Sequence, residues 1–330
     1  MDCISATTKR TTPRPAILAG QLLTGFFVTL ASCAAASQAQ QVDSPGAIPQ
    51  LGTVTSINVP GATATLAIDI NAEGFIVGRY ASAGLTHGFM RSPNGDFTTI
   101  DFPGASLTVA AGINDRGNIV GQYALPTAPA ERHGFLLKGG VFTSFDPPGS
   151  AFTNVLGINE RGDIVGRYCT QLPCAAPGGG SYHGFLLHNG ELTTVDIGGA
   201  LETDLFKVNS PGRIVGGFLT PDHKEQISLL TNGNLTVLAP PGGQPVTLDN
   251  GGINERGDIV GTYCNWALPC LITPVDTHGF LISGGAFTTI DVPGASATAA
   301  LGMNAKGGIV GSYSDAKGVH GFLLSRFQSN

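Results

Sequence analysis

The phrase Asn-x-x-Gly-x-Ile-Val-Gly occurs six times in this chain, beginning at Asn71, Asn114, Asn159, Asn209, Asn254 and Asn304. A fixed period of about 45 residues points to a repeat architecture, in which each unit buries its faces only against its neighbours. A second phrase, His-Gly-Phe, falls in register at His87, His133, His183, His278 and His320; the fourth repeat has Gln226-Ile227-Ser228 instead. A third phrase, close to Phe-Thr-Thr-Ile-Asp-x-Pro-Gly-Ala, begins near Thr53, Phe97, Phe142, Leu192, Leu235 and Phe287.

Each unit reads as four short strands. In the second repeat, Val109 to Ile113 leads into the turn Asn114-Asp115-Arg116-Gly117. Asn opens such a turn with its side chain, and Gly supplies a left-handed residue. Asn118 to Tyr123, His133 to Leu137 and Val141 to Asp146 complete the unit, rich in β-branched and aromatic residues and bounded by Gly or Pro. The chain after residue 40 has no sustained 3.6-residue apolar period, so helices are not expected. Four strands per period and six periods predict an all-β fold, a six-bladed β-propeller with four antiparallel strands per blade. The segment 52–60 reads as a lone outer strand and the segment from His320 to Leu324 as a lone third strand. Pairing them closes the ring. First strands, with small residues such as Ala110, Ala111, Gly112, Ala297, Ala299 and Ala300, belong near the axis. A β-solenoid or a two-sheet sandwich is the alternative fold, and neither explains the split terminal unit as well.

Composition agrees. The 330 residues include 48 glycines and only 12% charged residues, with 42% hydrophobic. That is too apolar for a disordered chain, and there is no Gly-X-Y period to make it collagenous. The formal charge of −6 supplies no basic footprint for nucleic acid.

Residues 1–39 have the form of a secretory signal peptide. Lys9, Arg10 and Arg14 precede an apolar run from Ala16 to Ala31, and Ser37-Gln38-Ala39 fits the cleavage site. Leu30-Ala31-Ser32-Cys33 also resembles a lipobox, which would end the signal at Ser32 and make Cys33 a lipidated first residue. The chain is thus expected to be secreted, extracellular or periplasmic, with an outer-surface lipoprotein as the alternative. Residues 40–50 form a linker and 51–330 one propeller domain. No transmembrane span and a monomeric state are expected for the mature chain.

The paired phrases H-G-F-L-L and I-N-E-R-G-D-I-V-G, spread over roughly residues 52 to 324, resemble the extracellular repeats named for a His-Ala-Phe signature, the HAF repeats. The departure is Gly for Ala after every His, as at Gly88 and Gly279. The resemblance implies an exported repeat protein and carries no chemistry.

Residues recurring once per unit are expected to be scaffold, since an active site needs convergence. This covers the five repeat histidines and Tyr80, Tyr123, Tyr168, Tyr263 and Tyr313. It also covers Asp101, Asp146, Asp196 and Asp291. Thr65, Thr108, Thr153, Thr203 and Thr298, six residues before the turn Asn, are expected to form a hydroxyl ladder. Function should appear where the repeat breaks. Cys169 with Cys174, and Cys264 with Cys270, are expected to form two local disulfides, since each pair stays within one loop of an exported chain. Trp266, the sole tryptophan, lies in the second of these loops. Five residues before the turn Asn, the six repeats read Leu66, Val109, Asn154, Asp204, Asp249 and Ala299. Three adjacent repeats are polar there, and Glu202 and His223 belong to the same end of the ring.

No G-x-S-x-G, H-E-x-x-H or phosphate loop occurs. The first functional reading is therefore a binding or interaction scaffold without catalytic machinery, its partner an extracellular glycan, peptide or protein. Its candidate ligand contacts are Asn154, Glu202, Asp204, Asp249, His223 and Trp266. The second is a metal-assisted hydrolase or lyase in which Asp204 and Asp249, with Asn154, hold calcium. The third is a structural surface lipoprotein.

Overall fold

The computed structural model describes residues 4–9, 40–41, 52–174, 179–240, 251–264 and 277–325. These residues are all-β; no helix occurs among them, and so none long and apolar enough to cross a membrane. Every repeat contributes consecutive antiparallel strands. In the second they are Leu107–Ile113, Ile119–Ala124, His133–Lys138 and Val141–Phe145, hydrogen-bonded in that order. Phe152–Ile158, Ile164–Cys169, His183–His188 and Glu191–Ile197 repeat the pattern in the third. The sixth has three strands of its own, Ala297–Met303, Ile309–Asp315 and Gly318–Ser325. Its fourth is Thr53–Ile57, antiparallel to Gly318–Ser325.

First strands are buried along nearly their whole length, and fourth strands are largely exposed. The core lies between units. Its largest members are the phenylalanines of the His-Gly-Phe phrase, Phe89, Phe135, Phe185, Phe280 and Phe322, each at most 1% exposed. The glycine before each has a steric cause. A methyl group at Gly134 would sit 2.5 Å from Val155 Cγ2 of the next unit and 2.8 Å from the Phe145 carbonyl oxygen. Alanine, the residue of the HAF signature, has no room there. In the fourth repeat Ser228 takes the phenylalanine position, paired with Gly216, and is fully buried.

The repeated polar residues spend their hydrogen bonds on one another. His87, His133, His183 and His278 bond through Nδ1 to Asp101, Asp146, Asp196 and Asp291 at 2.8–3.0 Å. His320 bonds instead to Asn58, before the first repeat. The tyrosine hydroxyls follow suit: Tyr80 with Thr99, Tyr123 with Ser144, Tyr168 with Thr194, Tyr263 with Thr289, and Tyr313 with Ser56. The threonines do not form the expected ladder. Thr65, Thr108, Thr203 and Thr298 each accept from a backbone N–H at the crossing from the preceding fourth strand, namely Val59, Phe102, Ile197 and Val292. A crossing turn leaves an N–H without a strand partner, and a buried N–H must be satisfied.

Each turn asparagine does two jobs. Its Oδ1 closes its own turn, as Asn114 accepts from Asn118 N. In five of them Nδ2 donates to the carbonyl of the next repeat's asparagine: Asn71 to Asn114, Asn114 to Asn159, Asn159 to Asn209, Asn209 to Asn254, and Asn304 to Asn71; Asn254 Nδ2 donates to Asp258 within its own turn. Single parallel bridges also join neighbouring units, Thr86 to Leu107 and Arg132 to Phe152; the same bridge joins Val319 to Ala64. Two upstream segments lie on fourth-strand edges, Ile4–Lys9 against Glu191–Ile197 and Gln40–Gln41 against Asn234–Ala239.

Candidate functional site

The first strands of the repeats border a common space, a channel with two unlike ends. Each first strand whose register is described in full carries a bulge near its middle, as between Ala67 and Asp69 or Leu205 and Lys207. A bulge re-aims the residues that follow it. Two residues before the turn Asn, the repeats read Asp69, Gly112, Gly157, Lys207, Gly252 and Gly302. Lys207 reaches across the channel to Asp69, three repeats away, with Nζ–Oδ2 at 2.9 Å. The same ammonium donates to the carbonyls of Ala111 at 2.6 Å and Leu156 at 2.8 Å. Both side chains are about nine-tenths buried. All three ammonium protons are used, as a buried charge requires. The glycines clear the path: a methyl group at Gly157 would lie 2.9 Å from Lys207 Cα and 3.1 Å from its Cδ. Beyond this bar, at the turn end, remains a cavity of about 70 Å³ lined by Asn71, Asn159, Asn254 and Asn304 among others.

The opposite end, formed by the starts of the first strands and the ends of the second, opens into a cleft of about 370 Å³. Its floor is apolar: Ile68, Ala111, Leu156 and Leu301. Arg79, Gln122, Asn154, Arg167 and Ser312 supply its polar wall. Asn154 and Asp204, two of the residues expected to converge here, are joined through a third. Asn154 is paired across its sheet with Arg167, whose Nη1 donates to Asp204 Oδ2 of the next repeat at 2.9 Å. The Asp204 side chain is 1% exposed, and the Arg167 guanidinium also lies 4.3 Å over the Tyr182 ring. Glu202 is half-buried beside them. Burial first, and then the Asp204 charge, hold its carboxyl above the usual glutamate range, while Arg167 and His223 pull the other way. His223 is exposed, in a left-handed turn conformation with φ 58°.

Four of the six expected contacts, Asn154, Glu202, Asp204 and His223, therefore share this end of the channel. Asp249 and Trp266 lie outside the described residues. The carboxylate expected to hold calcium instead accepts a hydrogen bond from Arg167, so a hard cation would have to displace a guanidinium. Among the described residues no three His, Cys, Asp or Glu side chains gather at metal-holding geometry. Cys169 and Cys174 form a disulfide at the edge of this end. Cys264 is also disulfide-bonded, and Cys270 lies outside the described residues.

Two signals went unread in the sequence. One is the pair Asp69 and Lys207 at an otherwise glycine register. The other is the register eight residues after the turn Asn, where the repeats read Arg79, Gln122, Arg167, Gly217, Thr262 and Ser312. A position that differs so much among units, between invariant Gly and near-invariant Tyr, marks a surface facing something other than a neighbouring unit.

No family model matches this chain, and no curated protein matches it. Solved structures similar to it include a fucose-specific lectin from Aleuria aurantia, with a TM-score of 0.49 and 12% identity over 82% of this chain and 100% of that one. A streptogramin B lyase aligns with a TM-score of 0.43 and 12% identity, over 82% of this chain and 97% of that one. The β-propeller domain of the Trilobed protease from Pyrococcus furiosus aligns with 0.45 and 8%, over 81% and 100%. Likenesses this loose carry no inference about what this chain binds.

Proposed function

We propose that this chain is an exported binding module whose six four-stranded units close into a propeller, with its ligand site at the mouth bordered by Arg79, Gln122, Asn154 and Arg167. The ring reading is supported by the way the sixth unit meets the first. Asn304 with Asn71, Val319 with Ala64, Tyr313 with Ser56 and His320 with Asn58 reproduce the contacts within and between the other units. Membership of the HAF repeats, with Gly for Ala after the histidine, is consistent with export. Under this reading residues 1–39 are removed, or Cys33 becomes a lipidated first residue, and 51–330 is one domain. Intact-mass measurement of the native amino terminus separates a start at Gln40 from an acylated Cys33.

The observation that carries the binding reading is the division of labour among polar residues. Repeated ones satisfy each other, and Asp69 and Lys207, which break the repeat at the turn end, do so too; the other polar departures Arg79, Gln122, Asn154 and Arg167 collect around one cleft. A concave, largely apolar cleft with a few convergent polar groups is the usual form of a small-ligand site. No observation among the described residues favours a metal-assisted hydrolase. Screening the mature protein, from Gln40, against glycan and peptide panels tests the reading. A ligand whose binding responds to substitutions in the cleft is expected; no ligand of any class would sink it.

A further inference from the structure

We propose that the cleft is a blind cup for a neutral, polyhydroxylated small molecule, a monosaccharide or disaccharide, gripped by the side-chain amides of Gln122 and Asn154. The inference rests on the reading that this mouth binds a ligand, and it adds the ligand's chemistry.

The cup is blind because Lys207 bars the channel beneath it. Its ammonium is tied to Ala111 and Leu156, two residues of the floor. A ligand entering from this end meets an apolar floor and cannot pass through. The volume of about 370 Å³ falls in the range of roughly 300–1,000 Å³ typical of small-ligand clefts.

Two acceptors of the wall are unsatisfied. Asn154 is 7% exposed, and its Oδ1 has no hydrogen-bond partner among the described residues; the buried Gln122 Oε1 is in the same state. Leaving a buried acceptor unpaired costs on the order of 1–3 kcal/mol, and such groups in folded proteins are nearly always satisfied. These two line one cleft from adjacent repeats, whereas the repeated asparagines, histidines and tyrosines all have partners. The chemistry that would complete them is restricted. An amide presents an acceptor on one side and a donor on the other, and a hydroxyl can serve either. A cationic ligand is disfavoured, because the charged residues lining the cleft are Arg79 and Arg167. A ligand with hydroxyls on its edge and C–H groups on its face matches both the amide wall and the Ile68, Ala111, Leu156 and Leu301 floor.

The test is calorimetric titration of the mature protein with neutral monosaccharides and disaccharides. Short carboxylates, alkylammonium salts and peptides serve as comparison probes. At least one saccharide is expected to bind, and Gln122→Leu and Asn154→Leu are each expected to weaken it about tenfold, the loss of one good hydrogen bond. Gln122→Leu removes no side-chain hydrogen bond among the described residues and relieves an unpaired buried acceptor, so an unchanged or raised melting temperature certifies that its fold is intact. Saccharide binding that neither variant alters would overturn the cup while leaving a binding module. So would binding confined to carboxylates, ammonium salts or peptides. Absence of binding to every probe would overturn the cup, and the binding module falls with it only if the glycan and peptide panels are silent as well.

Discussion

The two ends of the channel between the first strands differ in what their polar groups do. At the turn end every asparagine closes its own turn or reaches its neighbour, and Lys207 and Asp69 fill the axis with a fully bonded ion pair. At the other end Arg167 is balanced by Asp204, but Gln122 and Asn154 present buried acceptors to a cleft. The turn end is a clasp, satisfied from within; the mouth is completed from outside. The difference arises from sequence. A residue present in every unit can pair with its copy in the next, whereas a residue present in one or two units must find another partner.

The contrast can be broken most forcefully at the ion pair. Lys207→Met leaves the Asp69 carboxylate buried without its cation, and stability should fall by about 3–5 kcal/mol in urea unfolding. Adding Asp69→Asn should recover most of that loss; failure to recover would mean that the lysine stabilises by packing alone. Next in size, Asn209→Ala removes both the turn bond to Arg213 N and the link to Asn254. About 1–3 kcal/mol should be lost. If Gln122→Leu at the mouth cost as much, the two ends would not differ as described.

The mouth should also respond to pH in its own way. The Glu202 carboxyl titrates above its ordinary range, so its protonated form is favoured in the folded state. The stability this gives is present below the ordinary glutamate value and is lost as pH rises through the raised one. Glu202→Gln should therefore raise the melting temperature modestly at pH 7 and leave it unchanged at pH 4. Asp163 behaves in the opposite sense. Burial pushes its carboxyl up, but hydrogen bonds from Asn159, His188 and Arg161 outweigh that and hold it low. Its contribution is present above the ordinary aspartate range and lost as pH falls through the lowered value. The smallest effects belong to the outer edge. Tyr313→Phe and Tyr80→Phe should each cost about 0.5–1.5 kcal/mol or less, and by the same amount, because Ser56 plays for the sixth unit the part Thr99 plays for the first.

Most of the fold was legible because it is written six times. The strand order, the pairing of Thr53–Ile57 with Gly318–Ser325 and the scaffold role of the histidines all follow from phrases in register. The Cys169–Cys174 disulfide followed from loop length. The threonines were misread because alignment shows that they recur but not that a crossing turn leaves an N–H for each to accept. Asp69 and Lys207 went unnoticed because they stand 138 residues apart and meet only across the axis, a contact that no local pattern encodes. The partner of Asp204 was missed for a related reason. Arg167 belongs to the second strand of the preceding repeat, directly opposite Asn154, and not to the row of first-strand residues that drew notice.

The claim on which the rest stands is that the first segment of the domain completes the sixth unit and locks the ring. Thermal unfolding of a chain beginning at Ala62, against one beginning at Gln40, tests it most directly. Loss of Thr53–Ile57 exposes the edge of Gly318–Ser325 and removes the partners of Tyr313 and His320. The shortened chain should melt more than about 5 °C lower, the shift expected from losing a few kcal/mol. Equal melting temperatures would contradict closure through that strand.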